Sequence, residues 1–281
     1  VRGLVEIDRH GDDRRIRQRG ELRGDVRGDL GIVLGFDTSP EFFDLQANPE
    51  YYESIGGVVR NCVVADTGLA GLGLYATRLV HPSPRLEERI THYVRHMPEA
   101  VRSFGSMNLR AFGFGCTGSS YVAGRELEDR LTAAAEAEVG LPVVTAAQAI
   151  RLALQALRVD GFALVSPYPE DLAEAGYRYW RDAGLRVLAR ARVDLALTDT
   201  HRIYELTSDD ALQALRRIDT TGAGALVVSG TGMPTLRALR AMRDATSLPV
   251  LSSNLCLAWA LLRAAAPELA PPSPAGLLDA S

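Results

Sequence analysis

Short apolar runs alternate with amphipathic stretches along most of the chain after residue 30. Most of the runs are bounded by glycine, proline or polar residues, as strands are, and the stretches between them have helical spacing. Strands that alternate with helices indicate βαβ units, in which a parallel sheet is buried on both faces and the connections are right-handed. The predicted strands span residues 31–36, 58–64, 109–114, 161–165, 185–191, 225–228 and 249–251, and the predicted helices span 84–103, 124–138, 146–158, 169–183, 208–218 and 234–245.

Two pairs of similar segments indicate an internal duplication. GIVLGFDTSPEFFD (31–44) resembles GFALVSPYPEDLAE (161–174): each has an apolar run, a turn with serine and proline, and then acidic residues. RAFGFGCTGSSYVAG (110–124) resembles GALVVSGTGMPTLRA (224–238) in the same way, with Cys-Thr-Gly-Ser in one copy and Gly-Thr-Gly-Met in the other. We therefore expect an α/β fold of two similar, open, parallel-sheet lobes that binds its ligand between them, outside the carboxyl ends of the strands.

The predicted domains are an N-terminal arm (1–30), a first lobe (31–145 with 250–281) and a second lobe (146–249). The arm carries eight arginines and seven acidic residues with scarcely any apolar surface, so it cannot form a core of its own. We expect it to be solvated, to dock on the body or on a partner subunit, or to be upstream sequence read through from an early start codon.

Composition narrows the function classes. A net charge of −4 argues against a polyanion partner, so we expect a small-molecule ligand rather than nucleic acid. The three cysteines are too few and too scattered for a disulfide framework or a metal site; they are Cys62, Cys116 and Cys256. Cys62 and Cys256 lie in apolar runs typical of a core. Neither a membrane span nor a signal peptide is apparent, so we expect a cytoplasmic protein with no membrane partner.

The turn around Cys116 carries the strongest chemical signal. In FGFGCTGSS (112–120) an apolar strand runs into the thiol, and the backbone N–H groups of Thr117, Gly118 and Ser119 can form an anion-binding nest at a helix start. Such a helix end is expected to lower the pKa of the thiol. The turn formed by Gly230, Thr231 and Gly232 offers a second nest, and the hydroxyls of Thr117, Ser119 and Thr231 add donors.

Five motifs in order resemble one known group of proteins: GCTGSSYVAG, LPVVTAAQAI, VSPYPEDLAEAGYRYW, VVSGTGMPTL and LPVLSSNLCLAWALLR. They are similar to the aspartate/glutamate racemase superfamily, and within it to the maleate cis–trans isomerase and arylmalonate decarboxylase branch. The resemblance covers residues 31 to about 263. It implies a flavodoxin-like pair of lobes and a cofactor-free enzyme acting on a small carboxylate. A homo-oligomer is possible, because relatives commonly pair, but the oligomeric state stays open.

The resemblance also implies two facing catalytic positions, one per lobe, which are both cysteine in racemases and maleate isomerases. Here the first is Cys116 and the second, by the match of SGTGMPT to the Ser-Cys-Thr segment, is Gly230. Tyr168 falls at the Pro-Tyr position and would supply a phenolic donor to a substrate carboxylate, and Thr38 falls near the substrate-binding asparagine. Asn254, in SSN (252–254), either contacts substrate or belongs to the cap of the last helix.

Gly230 cannot give or accept a proton, so racemisation by two thiols is disfavoured unless another group stands in. We expect isomerisation, in which a Cys116 thiolate adds to a cis-enedioate, the single bond rotates and the thiolate leaves. The alternative is an arylmalonate-type decarboxylase in which the Cys116 thiol protonates the carbanion, with the single cysteine on the opposite face from that of the known decarboxylases. A third hypothesis is a non-catalytic carboxylate sensor on the same scaffold.

Two further function classes are disfavoured by the residues themselves. Neither GTGMPT nor GCTGSS fits a dinucleotide-binding or P-loop pattern, which argues against a nucleotide-binding protein. His92 and His96 lie four residues apart but on a predicted exposed helix face, so we expect no metal.

Overall fold

A computed structural model describes residues 28–34, 72–79, 81–83, 85–105, 109–194, 196 and 200–278. For strands 28–34 and 72–78 it describes the backbone alone. Thr38, Cys62, the predicted strand 58–64 and the arm up to residue 27 lie outside the described residues. No helix in the described ranges is long and apolar enough to cross a membrane.

The first parallel sheet is built from strands of the first half of the chain. The strands are β1 (Gly28–Leu34), β2 (Leu72–Arg78), β3 (Leu109–Phe114) and β4 (Val143–Thr145). Their order in the sheet is β2-β1-β3-β4, so β1 pairs with both β2 and β3 and the last strand lies at an edge. β3 is wholly apolar on its buried positions, as a strand covered on both faces must be.

The second sheet repeats this topology. The strands are β5 (Gly161–Ser166), β6 (Arg186–Arg192), β7 (Leu226–Val228) and β8 (Val250–Ser252). Their order is β6-β5-β7-β8, again parallel throughout, so each sheet is arranged second, first, third, fourth in chain order. In such a sheet the direction of winding reverses between the first and third strands, and ligands bind at that point. The predicted duplication and the two-lobe α/β fold are thereby confirmed.

Helices connect the strands and join the two sheets. The helix that follows β4 packs against the helix that follows β8, so equivalent elements of the two halves meet. The helix that begins after Cys116 packs against the helix that follows β5, which is a second contact between the halves. The helices are α1 (Leu86–Arg95), α2 (Met97–Arg102), α3 (Thr117–Ala123), α4 (Arg125–Val139), α5 (Ala146–Ala156), α6 (Glu170–Asp182), α7 (Ser208–Arg217), α8 (Leu236–Arg243) and α9 (Ser253–Ala265).

Several predicted boundaries differ from the structure. β1 begins at Gly28, so the last three residues of the predicted arm belong to a strand. The sequence patterns missed β2, β4 and α3, and the predicted helix 84–103 is divided between α1 and α2. β8 pairs with β7, so the expected return to the first lobe at residue 250 is wrong for this strand. The chain returns at α9, which packs on β3 and α5.

Candidate active site

Cys116 lies where the first sheet meets the second. It follows β3 as the N-cap residue of α3, and its extended backbone turns the strand into the helix. The Ser119 hydroxyl, one helical turn later, donates a hydrogen bond to the Cys116 sulfur at 3.0 Å. The side chain is partly buried. The thiol therefore stands at the carboxyl end of a central strand, beside the first turn of a helix.

Burial raises the pKa of the Cys116 thiol above its ordinary value. Hydrogen bonds from the Ser119 side chain and from the backbone N–H groups of Ser119 and Gly118 oppose this rise without overcoming it. The expectation that the helix end lowers this pKa is therefore wrong, because the removal of the thiolate from water destabilises it more than these hydrogen bonds stabilise it. At neutral pH the resting side chain is a neutral thiol.

Tyr168 faces this turn from the second lobe. It follows β5 and is 5% exposed. Its ring lies over Gly118, where an added Cβ would be 3.6 Å from Cε1 and 3.7 Å from Cζ. Burial raises the pKa of the phenol well above its ordinary value, negative charge on Tyr121 or Cys116 would raise it further, and the nearby side chains of Thr117 and Ser229 oppose the rise. The hydroxyl is therefore protonated and close to the thiol.

Gly230, the predicted second catalytic position, has a backbone that suits only glycine. Its φ is +103°, in the region that L side chains rarely adopt. A Cβ there would lie 2.6 and 2.8 Å from Cγ and Cδ of Pro167, and 3.8 Å from the Tyr168 hydroxyl. The position therefore lacks a thiol and, in this conformation, has no space for one. Apart from its two neighbours in the chain, the polar group that lies within 4 Å of where that side chain would begin is the Tyr168 hydroxyl.

Hydroxyl groups join the turns of the two lobes directly. The Thr231 hydroxyl donates to the Gly115 carbonyl oxygen at 2.6 Å, immediately before Cys116. The Thr117 hydroxyl donates to Ser253 Oγ at 3.0 Å, and the Gly230 N–H donates to the same oxygen at 3.1 Å. These bonds bring the carboxyl ends of β3, β7 and β8 together.

The other residues predicted to bind the substrate carboxylate differ in their surroundings. Asn254 donates from Nδ2 to the Thr231 carbonyl oxygen at 3.1 Å, so its amide braces the second turn. Ser252, rather than Asn254, caps α9 by accepting from the Leu255 N–H. Gly232 is buried beside Thr231. The carboxylate-binding roles of these residues stay predictions.

Three buried hydroxyls at the site were missed from the sequence. Tyr121 lies on α3, Ser229 precedes Gly230, and Ser253 begins α9. Ser253 stood in the SSN motif and could have been found there. Tyr121 and Ser229 gave no signal, because they bond to each other across 108 residues and Tyr121 bonds to Trp180 across 59.

Two predictions lie outside the site. Cys256 is fully buried in α9 among apolar side chains, as expected of a core cysteine. His92 and His96 are not simply solvated: their rings stack at 3.7 Å, and His81 lies 4.6 Å from His92. Burial and the neighbouring histidines lower the pKa of His92. Among the described residues no group of three or more His, Cys, Asp or Glu side chains is arranged to hold a metal ion.

The chain is similar to one protein family and to one curated relative that are described below. A family model described as arylmalonate decarboxylase matches residues 83–278. The maleate isomerase of Geobacillus stearothermophilus is 25% identical over 123 residues, which are 43% of this chain and 48% of that protein, so the chain spans about half the length of this curated relative.

Solved structures share the two-lobe fold. A maleate cis–trans isomerase variant from Nocardia farcinica with a covalently bound succinylcysteine intermediate is 20% identical with a TM-score of 0.69, covering 84% of this chain and 92% of that one. An arylmalonate decarboxylase variant in a liganded form is 20% identical with a TM-score of 0.64, covering 85% and 93%. In that variant a glycine is changed to cysteine and a cysteine farther along the chain is changed to serine.

Proposed function

Because the chain belongs to the arylmalonate decarboxylase family, we propose that it is a cofactor-independent enzyme that uses Cys116 on a small mono- or dicarboxylate. One observation carries the proposal: the turn after β3 carries the Cys116 thiol, whereas the equivalent turn after β7 carries a glycine. Around that thiol lie the N–H groups of the α3 N-terminus and the phenol of Tyr168, which are donors suited to the growing charge on a carboxylate.

The neutral thiol favours protonation of a carbanion. A malonate-type substrate loses carbon dioxide, and the electron pair of the broken C–C bond passes into the remaining carboxylate as an enediolate. The Cys116 S–H then gives its proton to the carbon, and the thiolate that is left accepts hydrogen bonds from Ser119 and Gly118 before it regains a proton from water. One thiol suffices, and it delivers the proton to one face only.

The order of cysteine and glycine along the chain supports this reading. The liganded decarboxylase variant carries its introduced cysteine before the position where a cysteine was removed. This chain has cysteine at 116 and glycine at 230, so its thiol also stands at the earlier position. We propose that the product therefore has the hand opposite to that made by an enzyme whose thiol is at the later position.

Isomerisation of a maleate-type substrate is the second candidate, favoured by the curated relative and by the succinylcysteine intermediate in the Nocardia farcinica enzyme. A Cys116 thiolate adds to one carbon of the double bond, the electron pair moves into the distal carboxylate, the C–C bond rotates, and the thiolate leaves as the pair returns. This route first requires Cys116 to lose its proton, and burial opposes that loss.

Proton NMR in D₂O distinguishes the two reactions. Wild type, Cys116→Ala and the matched control Cys256→Ala are incubated with maleate and with a panel of substituted malonates. Loss of carbon dioxide with deuterium fixed in one configuration supports decarboxylation, and fumarate from maleate supports isomerisation. Either activity must vanish in Cys116→Ala and persist in Cys256→Ala. No turnover of either class, or turnover that survives Cys116→Ala, would refute the proposal.

A further inference from the structure

The turn that carries Tyr168 offers few main-chain donors by which it can be fixed. It joins β5 to α6 and has the sequence Pro167-Tyr168-Pro169. Proline has no N–H group, so two of these three residues can form main-chain hydrogen bonds only through their carbonyl oxygens. Bonds that fix the turn from outside must therefore fall mainly on carbonyl oxygens.

Arg192 supplies such a bond from the carboxyl end of β6. This strand runs parallel to β5, and Arg192 lies opposite Ser166, the last residue of β5. Arg192 Nε–H donates to the Tyr168 carbonyl oxygen at 2.9 Å. Its Nη1 lies 3.3 Å from Oε2 of Glu170, the first residue of α6. Because a guanidinium group is planar and rigid, these two bonds fix the turn relative to the start of the helix.

Arg192 is also more deeply buried than its neighbour on the same side of the strand. Its side chain is 12% exposed, whereas that of Arg190, which pairs with Glu174 of α6 at 2.8 Å, is 56% exposed. Hydrogen bonds from a charged donor are about twice as strong as those between neutral groups. The bond to the Tyr168 carbonyl oxygen is therefore shielded from water and strong enough to hold the turn.

The turn places the Tyr168 ring against both lobes. A Cβ added to Gly118, in the first turn of α3, would be 3.6 Å from ring atom Cε1, and one added to Gly230 would be 3.8 Å from the hydroxyl oxygen. The ring also meets the Tyr121 ring edge to face at 5.7 Å. A displacement of the main chain at Tyr168 would therefore move the phenol relative to the turns that follow β3 and β7.

We propose that Arg192 is a positioning residue, which acts through the main-chain carbonyl group of Tyr168 to hold the phenol where it can donate a hydrogen bond to a carboxylate oxygen of the substrate. This inference rests on the proposed function, because the substrate is the acceptor of that bond. Arg192 itself acts only through Tyr168. The sequence did not single it out, since arginines recur along β6 in RVLARAR (186–192).

The test is a double-mutant cycle, measured on the carboxylate that the enzyme turns over. Arg192→Met keeps a long side chain but has no N–H to donate. We expect kcat to fall about five- to thirty-fold with little change in KM, because a displaced donor weakens binding of the transition state more than that of the substrate. In a Tyr168→Phe background the same change should cost less than about two-fold. An equal loss in both backgrounds, or a loss in KM alone, would overturn the proposal.

A matched control and a second variant keep the test interpretable. Arg190→Met removes a guanidinium that also links β6 to α6 but does not bond to the turn, so it should change kcat less than about two-fold. A loss as large as that of Arg192→Met would overturn the proposal. Should Arg192→Met not fold, Arg192→Lys keeps the charge and one donor group. It should lose about two- to five-fold in kcat, with the same dependence on Tyr168.

A fluorine NMR spectrum without substrate separates this inference from the proposed function. The protein is labelled with 3-fluorotyrosine, and the resonances of Tyr168 and Tyr179 are those lost in Tyr168→Phe and Tyr179→Phe. Arg192→Met should shift or broaden the Tyr168 resonance and leave that of Tyr179 in place, whereas Arg190→Met should move neither. This result in a protein that turns over no carboxylate would refute the enzymatic proposal alone. An unchanged Tyr168 resonance in Arg192→Met would refute the role of Arg192.

Discussion

Replacement of Gly230 by cysteine should destabilise the protein rather than create a racemase. A side chain at φ +103° incurs backbone strain of about 1–3 kcal/mol. Its Cβ would also overlap Cγ and Cδ of Pro167 at 2.6 and 2.8 Å, which are ring atoms that cannot rotate away. Overpacking of this kind costs about 1–3 kcal/mol more. We therefore expect a loss of about 2–6 kcal/mol for both Gly230→Cys and Gly230→Ala.

Thermal unfolding measures this loss, which corresponds to a decrease of about 3–10 °C in Tm for a chain of this size. Gly184 provides the matched control, since its φ is +77° but nothing lies within 4 Å of an added Cβ. Gly184→Ala should show the backbone strain alone, about 1–2 kcal/mol. The difference between the two alanine variants then measures the contact with Pro167.

The contact can be removed from its other side. Pro167→Ala deletes the overlapping ring atoms. In the Gly230→Ala background it should therefore restore about 1–3 kcal/mol of the free energy of unfolding, whereas in the wild type it should give no such gain. Gly230→Cys should also fail to exchange the α-hydrogen of aspartate or glutamate in D₂O. A fully stable Gly230→Cys variant, or no coupling between Gly230 and Pro167, would refute the steric argument.

Three further predictions concern the thiol, the junction of the lobes and a buried acid. Ser119→Ala removes a donor from the Cys116 sulfur, so the thiol pKa should rise further and alkylation at pH 8 should slow about ten-fold. Thr231→Val leaves the buried Gly115 carbonyl without its partner and should cost about 1–3 kcal/mol in denaturant unfolding. Burial raises the pKa of the Glu128 carboxyl group, so the folded state keeps the carboxyl proton to a higher pH than the unfolded chain does. The Tm of the wild type, measured relative to that of Glu128→Gln, should therefore fall as the pH rises above 4.5.

Each of these has a matched control. For the thiol, Cys116→Ala gives the background alkylation rate, and an unchanged rate in Ser119→Ala would contradict the assigned hydrogen bond. Thr220→Val, on an exposed turn, should change the unfolding free energy by less than about 0.5 kcal/mol. For the buried acid the control is Glu126→Gln, which removes an exposed carboxylate of α4. If the Tm difference between the wild type and Glu128→Gln did not vary with pH, the direction of the Glu128 pKa shift would be refuted.

The sequence predicted those elements whose local pattern agrees with their final environment. β3 was placed at its observed ends and β5 to within one residue, because both are apolar runs bounded by polar or glycine residues. α3 was missed, since TGSSYVA is poor in strong helix formers and resembles a turn. Packing of Tyr121 against α6 stabilises that helix, and such tertiary contacts override local propensity.

For the site, the sequence predicted residue types better than it predicted their contacts. Cys116 and Tyr168 were placed at strand ends by motif and by duplication, and the structure brings them together. The direction of the Cys116 pKa shift could not be predicted, because it depends on burial by residues distant in sequence. The link from Thr117 to Ser253 likewise spans 136 residues, and no local pattern indicates it.

We propose that the asymmetry between the two lobes selects one-thiol chemistry. Both sheets have the same strand order, and the turns after β3 and β7 are equivalent, so a duplicated site would present the same group from each side. Here the first turn presents a thiol, while the second is closed by Pro167 against a glycine with positive φ. The second lobe instead contributes Tyr168 from its first strand, with the phenol pKa raised far above neutrality. In the proposed decarboxylation, a planar carbanion held between a thiol and such a phenol would have one ready proton donor, on the Cys116 side, and the product would take its hand from that side.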